Sequence, residues 1–363
     1  MSSSATPAAS AVSAWPSYAL VAIVLSAAVY AFSPRPLPEF AATRIFADRM
    51  IVNGLAQSGS RLIAVGELGR ILIADSADGP WHEAAVEPQR ESTLTTVSLT
   101  GETLFAGGHD GWILRSDDQG EHWKEAFFDS EHPEPVMSIS GPYEGKLYAV
   151  GGFGLYLSSA DGGKTWQRET INEEVAKDLK PKKAAPSADE DPFAAFSEQK
   201  ESGLAESHLN GLVAAGDGSL VLVGERGIVA QSRDHGASWK RLPSIYTGSF
   251  FGILSLPPQG LLVYGMRGNV FHSEDLGKTW QKSEIPEVVS LFGGTVMSNG
   301  DIVLAGENSA VLVSSDHAAH FKVVSEGERQ RFATVLPLAG GWLAGGEGGL
   351  RKVSAAASAG GKP

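Results

Sequence analysis

A short glycine turn recurs seven times along the chain, and this repeat constrains the fold more than any other feature. Each copy has the form Gly-x-x-Gly or a close variant, and each follows a β-forming run such as Arg61-Leu62-Ile63-Ala64-Val65. The turns begin at Gly66, Gly108, Gly151, Gly224, Gly265, Gly306 and Gly346, in steps of 42, 43, 73, 41, 41 and 40 residues. A period of about forty residues accommodates four short strands, the size of one propeller blade. The spacing therefore predicts an all-β, seven-bladed β-propeller with an insertion after the third turn.

The repeat also defines the domain boundaries. We predict a polar N-terminus at 1–14, an apolar transmembrane or signal segment at 15–33, a linker at 34–40, a propeller at 41–355 with an insertion at 167–207, and a flexible tail at 356–363. The last repeat lacks an outer strand. Residues 40–48 precede the first blade, and we expect them to supply that strand and close the ring.

The apolar segment has two interpretations. Its length suits a short membrane span, and Trp15 and Tyr30 are typical of the membrane interface. A cleaved signal is the alternative, because Val29-Tyr30-Ala31 is an acceptable cleavage site. The first basic residues, Arg35 and Arg44, follow the segment, so the positive-inside rule alone would place the propeller in the cytoplasm.

A second motif, Ser-x-Asp-x-Gly-x-Thr-Trp, has the pattern of an Asp box. The copies with a complete or recognisable motif are Asp118 with Trp123, Asp161 with Trp166, Asp234 with Trp239, Asp275 with Trp280, and a worn copy at Asp316. The carboxylate can accept hydrogen bonds from its own turn, while the Trp buries a large apolar face between blades. Because the motif recurs in nearly every blade, we expect a structural role rather than calcium binding or catalysis.

Composition excludes several classes of function. The formal net charge of −13 disfavours nucleic-acid binding, and the absence of cysteine excludes thiolate metal sites and cysteine nucleophiles. His109-Asp110 has the chemistry of a general base or a metal site, but the other histidines show no ligand spacing. We therefore expect no metal, no cofactor and no small-molecule substrate.

Strand alternation places the seven glycine turns on one face, together with the insertion. The predicted partner-binding residues of this face are Glu67, Arg70, His109, Asp110, Phe153, Glu225, Arg226, Arg267, Glu307 and Glu347. Two interpretations stay open here, a patterned docking face or turn tips that are simply polar. Phe193 and Phe196 of the insertion are likewise either a docking arm or part of a tolerated loop.

The glycine turn followed by the Asp box resembles the photosystem II assembly/stability factor family of propellers, over roughly 45–354. The resemblance implies a non-enzymatic protein in the thylakoid lumen or periplasm that helps to build or stabilise membrane complexes. Photosynthetic members favour an arginine-rich patch, to which Arg70, Arg115, Arg226 and Arg267 correspond, although glutamates stand beside them. That difference favours the non-photosynthetic branch of the family, whose members resemble accessory proteins of membrane transporters, often of the RND type.

The resulting hypothesis is an accessory or assembly factor for an inner-membrane protein complex, with an RND-type transporter as one candidate partner. The propeller would lie in the periplasm, anchored by the N-terminal segment or released after cleavage. The alternative is a secreted Asp-box glycosidase or carbohydrate-binding propeller. Sialidases, however, share only the box, since Arg44-Ile45 is followed by Phe46 rather than by the proline of their signature.

Overall fold

Seven sheets make up the propeller in the described residues, each an antiparallel meander of consecutive strands, with one parallel strand added to the edge of the second. The computed structural model describes residues 15–33, 49–174, 203–325 and 330–354. The first strand of each sheet contacts the first strand of the next, and the first sheet also contacts the seventh. The described residues therefore form a closed seven-bladed β-propeller, as the repeat predicted.

Each blade is a meander whose first strand lies innermost in the ring. The innermost strands are β1 (Val52–Ser58), β6 (Leu94–Thr100), β10 (Val136–Tyr143), β14 (Leu209–Ala214), β18 (Phe250–Leu256), β22 (Leu291–Val296) and β26 (Phe332–Leu338). The second strands are β2 (Arg61–Gly66), β7 (Thr103–Gly108), β11 (Lys146–Gly151), β15 (Leu220–Gly224), β19 (Gly260–Gly265), β23 (Ile302–Gly306) and β27 (Gly341–Gly346).

The outer half of each blade is shorter and less regular. The third strands are β3 (Ile71–Ala74), β8 (Ile113–Ser116), β12 (Tyr156–Ser159), β16 (Val229–Ser232), β20 (Val270–Ser273), β24 (Val311–Ser314) and β28 (Gly349–Ser354). The fourth strands are β4 (His82–Glu83), β9 (His122–Phe127), β13 (Gln167–Arg168), β17 (Lys240–Arg241), β21 (Gln281–Lys282) and β25 (Lys322–Ser325). Blade 7 has three described strands, and the predicted closing segment at 40–48 lies outside the described residues.

Three blade boundaries are joined by backbone pairing. The strand β5 (Ala85–Glu87) leaves blade 1 and pairs in parallel with β9 of blade 2. Glu173 pairs in parallel with Trp239, and Glu284 with His320, so that blade 3 is joined to blade 4 and blade 5 to blade 6. These backbone hydrogen bonds join neighbouring blades in pairs, in addition to the apolar packing between them.

The Ser-x-Asp turns between the third and fourth strands are closed by their own carboxylates. Asp161 accepts hydrogen bonds from the Ser159 hydroxyl at 2.8 Å, the Thr165 N–H at 3.0 Å and the Thr165 hydroxyl at 2.7 Å. Equivalent bonds surround Asp118, Asp234, Asp275 and Asp316. Their side chains are therefore used within the turn itself.

The tryptophans of these turns pack against the preceding blade. Trp166 meets the edge of Phe105 with ring centroids 6.0 Å apart, and Trp239 meets Tyr156 at 5.9 Å. Trp123 and Trp239 are fully buried, while Trp280 is partly buried. Burial of a large aromatic side chain at a blade boundary stabilises the contact between sheets.

The helix α1 (Trp15–Phe32) spans 18 residues and contains no charged side chain. It is long and apolar enough to cross a membrane, and a signal sequence near an N-terminus would meet the same criteria. The helix and the propeller belong to two separate compact units.

Candidate partner-binding face

The glycine turns join the second strand to the third in every blade, and the first glycine of each turn is required by a close approach. A Cβ on Gly66 would lie 1.8 Å from the carbonyl oxygen of Ile51, the residue ahead of the innermost strand. In the other six blades the same contact would measure 1.9–2.7 Å, at Gly108, Gly151, Gly224, Gly265, Gly306 and Gly346. Any larger residue would push the first two strands apart, which explains why the motif is so regular.

The glutamates at the first middle position of four turns bind the backbone of their own blade. The Glu307 carboxylate accepts a hydrogen bond from the N–H of Ser290 at 2.9 Å, while the Glu307 N–H donates to the Ser290 carbonyl at 3.0 Å. Glu67, Glu225 and Glu347 make the same pair of bonds with the residue 16 or 17 positions upstream. These four glutamates, predicted as partner-binding residues, therefore hold the innermost strands of their own blades, and a lysine at any of these positions would remove those bonds.

Blade 3 has no glutamate at this turn position, and it also lacks the backbone donor that the glutamate binds in four of the other blades. Its innermost strand is preceded by Pro135, which has no N–H to donate, and the corresponding turn position is Gly152 rather than glutamate. The Gly152 N–H still donates to the Pro135 carbonyl at 2.9 Å. The glutamate is thus missing where the backbone donor is missing, and it is also replaced in blades 2 and 5, which have His109 and Met266 at this position.

The second middle position, the tip residue of each turn, is exposed. In six blades this residue and the one after it both have positive φ, the geometry of a type I′ turn. The six tip residues are Leu68, Asp110, Phe153, Arg226, Arg267 and Asn308, with φ between 52° and 60°. Non-glycine residues in this region cost about 1 kcal/mol or more, least for Asn and Asp.

The described end of the insertion packs against the turn of blade 3. The Gly154 N–H donates to the Ser207 carbonyl at 2.7 Å, and the ring of Phe153 lies 4.6 Å from that of His208. At the base, the Glu173 carboxylate accepts the N–H of Leu204 at 2.8 Å. The two ends of the insertion therefore meet beside the turn face, whereas Phe193 and Phe196 lie outside the described residues.

The remaining predicted residues have partners within the fold. Arg70 forms an ion pair with Glu83 at 2.7 Å, and the carboxylate of Asp110 accepts the Ser92 hydroxyl at 2.8 Å. His109 is exposed beside it. In the described ranges, no group of three or more His, Asp or Glu side chains is placed to hold a metal ion.

A ring of bulge residues near the channel axis was not anticipated from the sequence. The second residue of each innermost strand lies at a bulge, and Asn53 and Asn210 donate from there to carbonyls of the next blade at 2.9 and 2.7 Å. In blades 5 and 6 the residues are Phe251 and Phe292, whose ring centroids lie 5.0 Å apart with the ring planes inclined at 31°. Such bulges depend on strand register, which sequence periodicity does not reveal.

Comparison with known proteins gives one family model and one curated relative. A model described as the DUF6242 beta propeller domain matches residues 46–185. The chain is 29% identical over 126 residues to the photosystem II assembly lipoprotein Ycf48 of Synechococcus sp. (strain CC9902), a match that covers 32% of this chain and 37% of the relative. The chain thus matches well under half of that relative's length.

Solved structures share the fold at low sequence identity. A structure described as YCF48 bound to D1 peptide has a TM-score of 0.60 at 16% identity, covering 85% of this chain and 94% of its own. YCF48 from Cyanidioschyzon merolae gives 0.61 at 14%, covering 88% and 97%. The WD40 propeller of Doa1 gives 0.61 at 12%, covering 84% and 92%. At these identities the likeness establishes the seven-bladed propeller fold, a class with many unrelated functions.

Proposed function

We propose that this chain is a non-enzymatic propeller that assists the assembly or stability of a membrane protein complex, and that it binds through its glycine-turn face. The observation that carries the proposal is a division of roles in these turns. The glutamates are bonded to the backbone, whereas the apolar tip residues Leu68 and Phe153 are exposed on a fixed frame. The partial match to an assembly lipoprotein, and the likeness to a propeller bound to a peptide, support the same direction.

The electrostatics of the aspartates favour binding over sugar hydrolysis. A glycosidase needs a carboxyl group with a raised pKa to protonate the leaving group. Hydrogen bonds from the Ser238 hydroxyl and N–H lower the pKa of Asp234 to about 2, and the His320 N–H and ring lower the pKa of Asp316 to about 2. In the part of the chain that the structure describes, every aspartate with a displaced pKa is shifted downward.

Two narrower assignments belong to the same proposal. The Ser-x-Asp turns act as Asp boxes with a structural role, which agrees with their internal hydrogen bonds. The propeller lies in the periplasm, held by α1 or released by its cleavage. An RND-type transporter is one candidate client, and its identification depends on the experiment below.

The test is site-specific photo-crosslinking of tagged full-length protein in native membranes. A photoreactive amino acid is placed at His109 or Arg267 on the turn face, with exposed Glu102 and Gln259, at the opposite ends of the same two blades, as matched controls. We expect subunits of one membrane complex to be crosslinked from the turn face only. Equal crosslinking from both faces, or none to any membrane protein, would overturn the proposal.

The location is tested separately, with a cysteine introduced at exposed Ser60. Because the chain has no native cysteine, this residue gives a single labelling site. We expect a membrane-impermeant maleimide to label it once the outer membrane is permeabilised and before cells are lysed. Labelling only after lysis would place the propeller in the cytoplasm, as the positive-inside rule alone would have it.

A further inference from the structure

Exposed apolar side chains of the propeller are concentrated on the glycine-turn face. Among the described residues of the propeller, six large apolar side chains are exposed, and five of them lie at this face. The five are Ile51, Leu68, Met137, Phe153 and Val288. The sixth, Leu99, lies near the opposite end of blade 2. Single exposed apolar residues are ordinary, but their concentration on one face is typical of a surface that meets an apolar partner.

The three most exposed of these side chains stand on different sides of the central channel. Leu68 is the turn tip of blade 1 and Phe153 that of blade 3, and they are 48% and 62% exposed. Val288, 82% exposed, lies between blades 5 and 6, with its Cα 3.6 Å from a Cβ built on Gly268 of the blade 5 turn. We call these three residues the apolar tripod. A flat surface can touch all three at once, whereas one extended segment follows a line and cannot.

Two members of the apolar tripod adopt a backbone conformation that disfavours their side chains. The φ angles of Leu68 and Phe153 are 55° and 52°, in the left-handed region that favours Asn, Asp or Gly. Blade 6 has Asn308 at the same position, with φ of 58°. Since Leu68 and Phe153 are also exposed, burial within the fold compensates little of this strain. Their apolar character therefore indicates a contact outside the propeller.

The chain enters the propeller on the same face. The Ile51 N–H donates to the carboxylate of Glu67 at 3.1 Å, and the Ile51 carbonyl accepts the Glu67 N–H at 3.2 Å. Nineteen sequence positions separate Ile51 from Phe32, the last residue of α1. A tether of that length keeps a domain at a high local concentration beside the surface that holds its anchor. Weak contacts are then enough to orient the domain.

Charge determines the kind of contact that such a surface would make. The net charge of −13 disfavours attraction to anionic lipid headgroups. Glu67 and Glu307, on this face, accept hydrogen bonds from the backbone and are held within their own blades. Contact with a bilayer must therefore depend on the burial of apolar side chains at the boundary between headgroups and acyl chains.

We propose that the glycine-turn face rests on the surface of the bilayer that holds α1, with Leu68, Phe153 and Val288 inserted among the lipid headgroups. The lipid contact orients the propeller so that this face meets membrane proteins at a fixed height. The inference rests on the proposed function for the anchorage of the chain, and it adds a contact with lipid to the contact with protein.

The experiment uses full-length protein reconstituted in phosphatidylcholine vesicles. Because the chain has no cysteine, Leu68→Cys, Phe153→Cys and Val288→Cys each provide a single site for the fluorophore NBD. Leu99→Cys is the matched control, since Leu99 is exposed at the opposite end of its blade. Contact with lipid is measured as quenching of NBD by lipids that carry a nitroxide at the headgroup end of the acyl chain.

We expect nitroxide lipids to remove about half or more of the fluorescence from each member of the apolar tripod, and about a tenth or less from Leu99→Cys. Because the contact is apolar, the quenching should persist at high salt.

The three contacts should also depend on one another. In labelled Phe153→Cys protein, adding Leu68→Asn and Val288→Asn should reduce the quenching about twofold or more, because the two other contacts are lost. Adding Leu99→Asn should leave it unchanged. Leu68→Asn introduces the residue that blade 6 already uses at its turn tip, so the melting temperature should not fall.

Equal quenching of Leu99→Cys and Phe153→Cys would overturn the inference, as would quenching at only one member of the apolar tripod or at none. Quenching of Phe153→Cys that ignores the two Asn substitutions would attribute the contact to the fluorophore. Energy transfer between labelled copies without lipid quenching would assign the face to a second copy of this chain.

This inference and the proposed function can fail separately. Crosslinking of a membrane complex from the turn face, without lipid quenching of the reconstituted protein, would refute the lipid contact alone. Lipid quenching without any crosslinked complex would refute only the assembly role.

Discussion

The carboxylate of Glu307 lies 2.9 Å from the backbone nitrogen of Ser290 and accepts its hydrogen bond. Glu307 and Ser290 are seventeen positions apart in sequence. The bond nevertheless joins the turn after the second strand to the residue that precedes the innermost strand of the same blade. The Glu307 carboxylate, which the sequence predicts as part of the partner-binding face, therefore stabilises its own blade.

Replacing this carboxylate should destabilise the propeller. We expect Glu307→Ala to lower the free energy of unfolding by about 1–2 kcal/mol, since a partly buried N–H loses its charged acceptor. Glu307→Gln should retain most of the stability, because its amide oxygen can still accept the bond. Urea denaturation measures both, with exposed Glu102→Ala as the control. Equal midpoints for Glu307→Ala and Glu102→Ala would show that the bond contributes nothing.

Acid stability should depend on Asp234. The Ser238 hydroxyl and N–H lower its pKa to about 2, below the ordinary value of 3.8. Because the unfolded chain binds the proton more readily, this group stabilises the native state above pH 4, and the contribution is lost as the pH falls towards 2. We expect Asp234→Asn to flatten the dependence of unfolding free energy on pH in that range. Ser60→Ala, at an exposed site without a carboxylate, is the control and should leave the slope unchanged.

His320 replaces the usual Thr of its turn and should titrate abnormally. Its Nδ1 lies 2.7 Å from the carboxylate of Asp316 and its Nε2 lies 3.6 Å from that of Glu284, and the hydrogen bond to Asp316 raises the pKa of the imidazole above 6.5. The stabilisation is present below the unfolded pKa and is lost as the pH rises through the folded pKa. An NMR titration of the ring should show the raised midpoint. In Asp316→Asn it should fall back, and an unchanged midpoint there would contradict the assignment.

The insertion should be dispensable for folding. Glu173 and Leu204 are hydrogen-bonded at 2.8 Å, so the chain ends on either side of 175–202 already meet. We expect replacement of 175–202 by a short Gly/Ser linker to change the free energy of unfolding by less than about 1 kcal/mol. Glu173→Ala in the full-length chain should cost more, since the carboxylate also forms an ion pair with Arg241 at 2.6 Å. Chemical denaturation followed by circular dichroism measures the free energy of unfolding of both variants. A larger loss for the 175–202 replacement than for Glu173→Ala would contradict the prediction.

The fold was predictable because its repeat is imposed by close contacts. A Cβ at Gly66 would meet the Ile51 carbonyl at 1.8 Å, and the same contact recurs in each blade, so the glycines mark every turn in the sequence. The seven-bladed propeller follows from their spacing. The parallel pairing of β5 with β9 could not be foreseen, since it depends on how far two neighbouring blades are rotated.

The candidate site was predictable only in outline. The sequence places the glycine turns on one face but could not separate a glutamate that binds the backbone from a tip side chain that is exposed, such as that of Phe153. One signal was available, because Glu67 and Glu307 lie 16 and 17 residues after an N–H donor while Gly152 faces Pro135. The strain at Phe153 was hidden, since φ at the turn tip is a property of the folded backbone.

In the described residues, parallel bonds join blade 1 to blade 2, blade 3 to blade 4 and blade 5 to blade 6, so six of the blades form three two-blade modules. A backbone cut in 128–135 or 242–249 leaves every module whole, whereas a cut beside Ala85 or Asn172 splits one. Fragments divided at the first kind of site should reassemble when co-expressed. The segments between modules are therefore suitable positions at which to divide this protein into two fragments that complement each other.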